Sequence, residues 1–173
     1  TVRQGETVCL MGPSGLGKTT LLRRVAGLET PDAGAVTGVP WRLGYVFQED
    51  RLCDNFSAVA NIRLVTGRTL PEKAILQHLE ELGLSDSVRL PVSQLSGGMR
   101  RRVAIARAVC CGPELLLLDE AFKGLDEQCR RDTAAYIRRH TAGASVLCVT
   151  HDPEESTLLG GRCIDLAALQ RRD

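Results

Sequence analysis

The spacing of apolar positions changes several times along the chain, and each change marks an element. After a polar lead, Thr1 to Glu6, in which Gly5-Glu6 reads as a turn, Val8-Cys9-Leu10-Met11 is a continuous apolar run that predicts a buried strand. Leu21, Leu22, Val25 and Ala26 then recur at helical spacing and stop at Gly27. Thr30-Pro31-Asp32-Ala33-Gly34 is a turn cluster, followed by a weaker strand pattern from Ala35 to Val39. Arg42 to Phe47 alternates as a strand and delivers Gln48 at its end. From Asn55 the spacing is helical: Val59, Ile62, Leu64 and Val65 form one segment. Ala74, Ile75, Leu76, Leu79 and Leu82 form the next, opened by Pro71-Glu72-Lys73 and stopped by Gly83. A third helix runs through Val103 to Ala108 behind Ser96, its natural N-cap.

The second half reads as Leu115 to Leu118, a strand buried on both faces; a helix over Glu127 to His140; and a strand from Ser145 to Thr150. A short helix from Pro153 to Leu159, a last strand over Cys163 to Leu166 and a charged tail, Gln170 to Asp173, complete it. This alternation predicts an α/β fold with a mostly parallel sheet flanked by helices. The helical run at 51–111 reads as a small inserted subdomain between two parts of one core, 1–50 and 112–173, and as the best surface for a partner. A length of 173 residues suits one domain with a sizeable core.

Charge changes this picture little. Lys plus Arg number 22 against 21 acids, a net charge of +1, so no overall field recruits nucleic acid or an anionic membrane. Arg100-Arg101-Arg102 reads as a solvated helix face, because no aromatic residues interleave with it. The 7 cysteines form no Cys-x-x-Cys pair and read as small buried hydrophobes of a reducing cytosol, with Cys110-Cys111 a helix-end pair. No apolar run approaches the roughly 20 residues that span a bilayer, so a membrane role is expected to be peripheral, from the cytoplasmic side.

The chemistry gathers where strands end. Gly12-Pro13-Ser14-Gly15-Leu16-Gly17-Lys18-Thr19-Thr20 lies between the first strand and the first helix, which is the context of a P-loop. Gly12, Gly15 and Gly17 let backbone N–H groups wrap an anion, together with Ser14 and Thr20, at the positive end of a helix. Lys18 reaches the β- and γ-phosphates, and the Thr19 hydroxyl suits Mg²⁺. Ser96-Gly97-Gly98 exposes a second phosphate-binding helix start, which serves another chain's nucleotide if the first is already filled. Asp119 and Glu120 follow the four leucines at a strand's carboxyl end; Asp119 suits Mg²⁺ and Glu120 polarises the attacking water. His151 ends the next strand, beside the same sheet edge, where it can donate to a γ-phosphate.

With these residues in place, the chain resembles the nucleotide-binding subunit of ATP-binding cassette (ABC) transporters, a P-loop NTPase fold. Gly12 to Thr20, Gln48, Leu95 to Gly98, Asp119-Glu120, Asp126 and His151 are similar to that family's Walker A, Q-loop, signature, Walker B, D-loop and H-loop. The resemblance implies ATP and Mg²⁺ as cofactors and a head-to-tail pair, with a second copy or a homologous ATPase subunit. It also implies membrane permease subunits and a solute-binding protein as partners, and no nucleic acid. Gln48 would sense Mg²⁺ and the attacking water, Asp126 would connect the subunits, and His151 would contact the γ-phosphate. Met99, Tyr45 to Glu49 and Phe122 to Asp126 are similar to importers of the nitrate, sulfonate and taurine type, and Pro91 to Gln94 lacks the exporter pattern.

Three departures are visible. Residues 1 to 11 contain no aromatic for the family's adenine stack, so that strand is expected to be missing; Trp41 is expected at the surface or in packing rather than as its substitute. Ala121 replaces a Pro and Met99 a Gln. The span from Lys18 to Gln48 is short, so the antiparallel layer over the adenine is expected to be cut down. One lost base stack is worth about 1–3 kcal/mol, so weak ATP binding with poor base discrimination is expected; nanomolar ATP affinity with strong rejection of GTP would contradict it. Two other outcomes remain open from sequence: a truncated cassette with weak ATPase, and a non-transport ABC ATPase acting on nucleic acid. The second class carries long insertions where only Arg51 to Leu95 intervenes here.

Overall fold

The computed structural model describes residues 1–170; the charged tail beyond Gln170 lies outside the described residues. Five strands form one sheet: β1 (Thr7–Met11), β2 (Leu43–Val46), β3 (Leu115–Asp119), β4 (Ser145–Val149) and β5 (Arg162–Asp165), in the order β2-β3-β4-β1-β5. Every neighbouring pair is parallel, and the α/β fold with a parallel sheet stands as expected. Seven helices are present among the described residues: α1 (Lys18–Val25), α2 (Ala58–Thr66), α3 (Glu72–Glu81), α4 (Gly97–Cys110), α5 (Glu127–His140), α6 (Pro153–Leu159) and α7 (Leu166–Gln170).

The run of four leucines divides its side chains between two cores, as a strand covered on both faces must. Leu116 and Leu118 pack with Val46, Val146 and Cys148 beneath α4, α5 and α6. Leu115 and Leu117 pack with Val8, Leu10, Leu147 and Val149 beneath Leu22 of α1. Gly44 has a physical reason for lacking a side chain, since a Cβ there would lie 2.6 Å from the Ala108 carbonyl oxygen of α4.

The helices of 51–111 pack on one another through Val59, Ile62, Ile75, Leu79, Leu84, Val92 and Val103. Ser57 caps α2 by accepting from the Ala60 N–H at 3.2 Å. Buried Asn61 accepts from the Cys53 N–H at 2.8 Å and donates to the carbonyls of Cys53, Phe56 and Ser57, which fixes the chain entering α2. The joint to α5 is polar: His78 of α3 meets the Tyr136 hydroxyl at 2.9 Å, and Glu81 accepts from Arg139 and lies 2.9 Å from His140.

Two sequence expectations are corrected and a third, for Trp41, is narrowed. Ala35 to Val39 forms no strand: no neighbouring strand pairs with it, Gly38 takes a positive φ of 74°, and the segment is exposed. It lies as irregular chain over Val8, Leu10 and Ile164, bordering a cleft of about 540 Å³. Leu166 opens α7 instead of ending β5. Trp41 is 98% exposed and packs against nothing, which leaves the surface position of the two expected.

Candidate active site

The end of β1 turns sharply through the glycines before α1 begins. Gly12, Gly15 and Gly17 have φ of 150°, 86° and 77°, a region that side chains disfavour. A Cβ on Gly15 or Gly17 would meet nothing within 4 Å, so both face open space. Gly17 is the N-cap of α1, with no side chain to occupy the exposed N–H groups of the first turn, and no acidic residue stands there. Ser14 is exposed on the same turn and Thr20 half-buried on α1. The loop is thus an anion cradle of bare N–H groups at a positive helix end.

Lys18 is 8% exposed, and its ammonium donates to the Gly12 and Pro13 carbonyls at 2.7 and 2.8 Å, which directs the charge across the loop. The next residue makes the contact that joins two motifs: the Thr19 hydroxyl donates to Asp119 Oδ1 at 3.1 Å. These residues are 100 positions apart in sequence, and the sheet order brings them together. Asp119 is 1% exposed; burial pushes its carboxyl above its ordinary range, the Thr19 hydroxyl offsets part, and the Glu120 charge adds to the rise. A hydroxyl and a carboxylate are hard oxygen donors of the kind Mg²⁺ takes through one or two protein ligands, so the pair fits that ion.

Glu120 has φ of 48°, rare for a residue with a side chain, and its N–H donates to the Val149 carbonyl at 2.9 Å. The turn is thereby held to β4, and Glu120 leaves the strand in a direction the strand itself would not allow. Glu120 and His151 share a cavity of about 200 Å³, bordered also by Lys123, Arg130, Asp152 and Glu155. Lys123 lies 3.8 Å from the Glu120 carboxylate. Beneath exposed His151, Thr150 donates to Glu155 at 2.5 Å and Asp152 caps α6 while pairing with Arg130 at 2.7 Å.

Asp126 caps α5 by accepting from the Cys129 N–H at 2.8 Å. Ser96 likewise caps α4, accepting from the Met99 N–H at 3.3 Å, with Gly97 exposed beside it. Gly98 lies against the turn before α5, where its Cβ would be 3.5 Å from the Gly124 carbonyl oxygen. No hydrogen bond among the described residues joins Ser96, Gly97 or Gly98 to the Gly12–Thr20 loop. Gln48 is exposed beyond β2, and among the described residues its side chain hydrogen-bonds to nothing.

Arg100 to Arg102 do not form a solvated face. Arg101 is 6% exposed and its guanidinium donates to the Phe47 and Gln48 carbonyls at 2.7 and 2.5 Å. Asp50 Oδ1 is 3.2 Å from Arg101 Nε, close enough for an ion pair though not aligned as a hydrogen bond. Arg100 reaches Asp54 at 2.8 Å and Arg102 the Leu82 carbonyl at 2.6 Å. Such arginines use their stems for packing and their forks for carbonyls, and α4 thereby holds the segment after β2 in place. Arg51 also stacks over Phe47 at 4.0 Å, itself stacked on Tyr45 at 3.9 Å. Sequence offered one signal, the i, i+1, i+2 arginines beside a short β2 loop, and it did not separate inward from outward directions.

Comparison with known proteins agrees with this arrangement. A family model described as ABC transporter matches residues 1–123. The chain is 45% identical over 171 residues to the aliphatic sulfonates import ATP-binding protein SsuB 1 of Nocardia farcinica, covering 96% of this chain and 69% of that protein. It is 42% identical over 185 residues to the sulfate/thiosulfate import ATP-binding protein CysA of Caulobacter vibrioides, covering 93% and 54%. It therefore spans between about half and two thirds of the length of such relatives. Among solved structures, the dimeric bacterial ABC transporter cassette MJ0796 superposes with a TM-score of 0.83 at 27% identity, covering 96% of this chain and 83% of that one. A P-loop whose threonine meets the strand-end aspartate, a serine-capped helix and the sequence match over most of the chain lead to one conclusion: the chain belongs to the ABC transporter family.

Proposed function

We propose that this chain is the ATP-hydrolysing part of an importer, working as a head-to-tail pair with a second copy or a homologous ATPase, on a separate permease at the inner face of the membrane. The observation that carries the reading is the Thr19–Asp119 hydrogen bond at 3.1 Å, in which the P-loop hydroxyl and the buried carboxylate meet as two adjacent oxygen donors. Import rather than export follows from relatives named as import ATP-binding proteins for sulfonate and sulfate. The solute is recognised by other subunits, including a solute-binding protein.

In this reading the N–H groups of Gly12 to Thr20 bind the phosphates, and Lys18 transfers its ammonium from the Gly12 and Pro13 carbonyls to the β- and γ-phosphates. Thr19 and Asp119, with Gln48, hold Mg²⁺, which when bound neutralises charge building on the transferring phosphoryl. Glu120 orients the attacking water and accepts its proton, and His151, across the same cavity, donates to the γ-phosphate. Ser96, Gly97 and Gly98 of the other subunit close over the nucleotide, and Asp126 connects the two subunits. Among the described residues no hydrogen bond joins them to the loop of their own chain, which supports a role across chains. Phe56, Leu64, Val65 and Leu90, all exposed on the helical insertion, supply an apolar surface for the permease.

Glu120→Gln tests the assignment. Turnover should fall by at least about a hundredfold, while ATP and Mg²⁺ hold the variant as a dimer in size-exclusion chromatography with light scattering. Unchanged steady-state hydrolysis would remove Glu120 from its role.

A further inference from the structure

Three cysteines remote in sequence stand side by side on the sheet. Cys9 of β1 is level with Cys148 of β4 on one flank and with Cys163 of β5 on the other. Level residues of parallel neighbours point to the same side, so the three thiols form a row on the face that α6 covers. Cys9 and Cys148 are buried, whereas Cys163, on an edge strand, is exposed. The expectation that the cysteines are all buried hydrophobes therefore fails for Cys163, and also for Cys53.

The surroundings of the row favour chemistry between Cys9 and Cys163. Cys163 Sγ is 2.9 Å from the Ser156 hydroxyl of α6 and 3.4 Å from Met11 Sδ. The Cys9 sulfur reaches toward β5: it sits 2.9 Å from where a Cβ on Gly161 would stand, so the missing side chain at 161 makes room for it. The neighbouring Cys148 thiol holds the Cys9 thiol below its ordinary range, against the effect of burial, while Cys148 itself is pushed up. Cys110 and Cys111 differ: burial raises both, Cys110 to about 12, which leaves them inert.

We propose that Cys163 and Cys9 form a reversible disulfide when the protein meets a hydroperoxide, and that this bond weakens nucleotide binding at the P-loop. Exposed Cys163 attacks the terminal peroxide oxygen as thiolate. An S–O bond forms, the O–O bond breaks, and the departing alkoxide or hydroxide takes up the thiol's proton as alcohol or water. The sulfur becomes a sulfenic acid, oxidised by two electrons, and the peroxide is reduced by two. Cys9 thiolate then attacks that sulfur; the S–S bond forms, the S–O bond breaks, and hydroxide leaves with the Cys9 proton as water. Neighbouring strands lie about 4.8 Å apart, within the Cα separation a disulfide tolerates. β5 is paired on one side only, so the edge strand can make the remaining adjustment. The effect reaches the loop along two paths. Met11, beside Gly12, pairs with Asp165, and Leu166 Cβ lies 3.8 Å from where a Gly12 Cβ would stand.

The test treats the purified protein with hydrogen peroxide, blocks remaining thiols and maps the digest by mass spectrometry. A Cys9–Cys163 cross-linked peptide, lighter by two hydrogens and lost on reduction with dithiothreitol, is expected. Binding of a fluorescent ATP analogue should be lost in step and return with reduction. Cys163→Ser should show neither the cross-link nor the loss. Cys9→Ala should stop at a dimedone-reactive sulfenic acid on Cys163 and keep its nucleotide. A Cys9–Cys148 cross-link with Cys163 untouched, or an unmodified Cys163 after peroxide, overturns the proposal. The cross-link with undiminished binding overturns its effect on the loop. That effect rests on the P-loop reading, but the cross-link is read by mass without any nucleotide, so the two can fail separately.

Discussion

At the scale of single residues, Asp119 carries the clearest dependence on pH. Its carboxyl is held above its ordinary range by burial, so between the ordinary value and the raised one the folded chain binds more proton than the unfolded chain. Its contribution to stability is present below that window and is lost as pH rises through it. Asp119→Asn, which does not titrate, should therefore become more stable relative to the parent as pH rises across the window, measured as urea midpoints of both proteins. An equal pH dependence in the two would remove Asp119 as the cause. Arg101 makes a different prediction. Arg101→Met leaves the Phe47 and Gln48 carbonyls without their donor and takes from Asp50 the nearer of its two arginines, an expected loss of about 3 kcal/mol by denaturant titration. Arg101→Lys keeps the charge but not the fork and should recover only part. The contrast between these two residues shows what a sequence can display. Asp119 was legible because it follows a strand run and its role depends on chain position. Arg101 was not, because its role depends on the direction in which a helix presents one of three adjacent arginines.

At the scale of elements, strands and helices with strong local patterns were readable and their contacts were not. The leucine strand, the Ser96 and Asp126 caps and the Asp152-Pro153 start of α6 could all be located from residue type and spacing. The segment 35–39 misled because alternation describes a side-chain pattern and says nothing about whether a partner strand lies alongside. The row of Cys148, Cys9 and Cys163 was likewise hidden, since only the sheet order and register align positions so far apart. Gly44 offers a test at this scale. Gly44→Ala forces a Cβ into the Ala108 carbonyl oxygen and should separate β2 from α4, costing about 1–3 kcal/mol in thermal or denaturant unfolding. A neutral result would mean that α4 can retreat without loss.

At the scale of the whole molecule, the family match and the sheet account for a cassette fold, and the separation of Ser96 from the chain's own loop sets the expectation for assembly. Combining Ser96→Arg with Glu120→Gln should abolish the ATP-dependent dimer while a single chain still binds nucleotide. Light scattering and a binding titration on the same sample would check both halves. Persistence of the dimer would exclude the serine-capped helix from the contact between chains. The helical insertion offers a second surface: its exposed Phe56, Leu64, Val65 and Leu90 lie on the part that His78, Glu81, Tyr136 and His140 join to the core.

Trp41 gives the molecule a further property. The indole is the single tryptophan of the chain and is 98% exposed, so its emission already has the wavelength it would have in water. Unfolding by urea will move that emission very little, and intrinsic fluorescence will be a poor thermometer of this fold. The same blindness makes it a selective reporter: a blue shift on adding any other macromolecule means that the surface just before β2 has been covered.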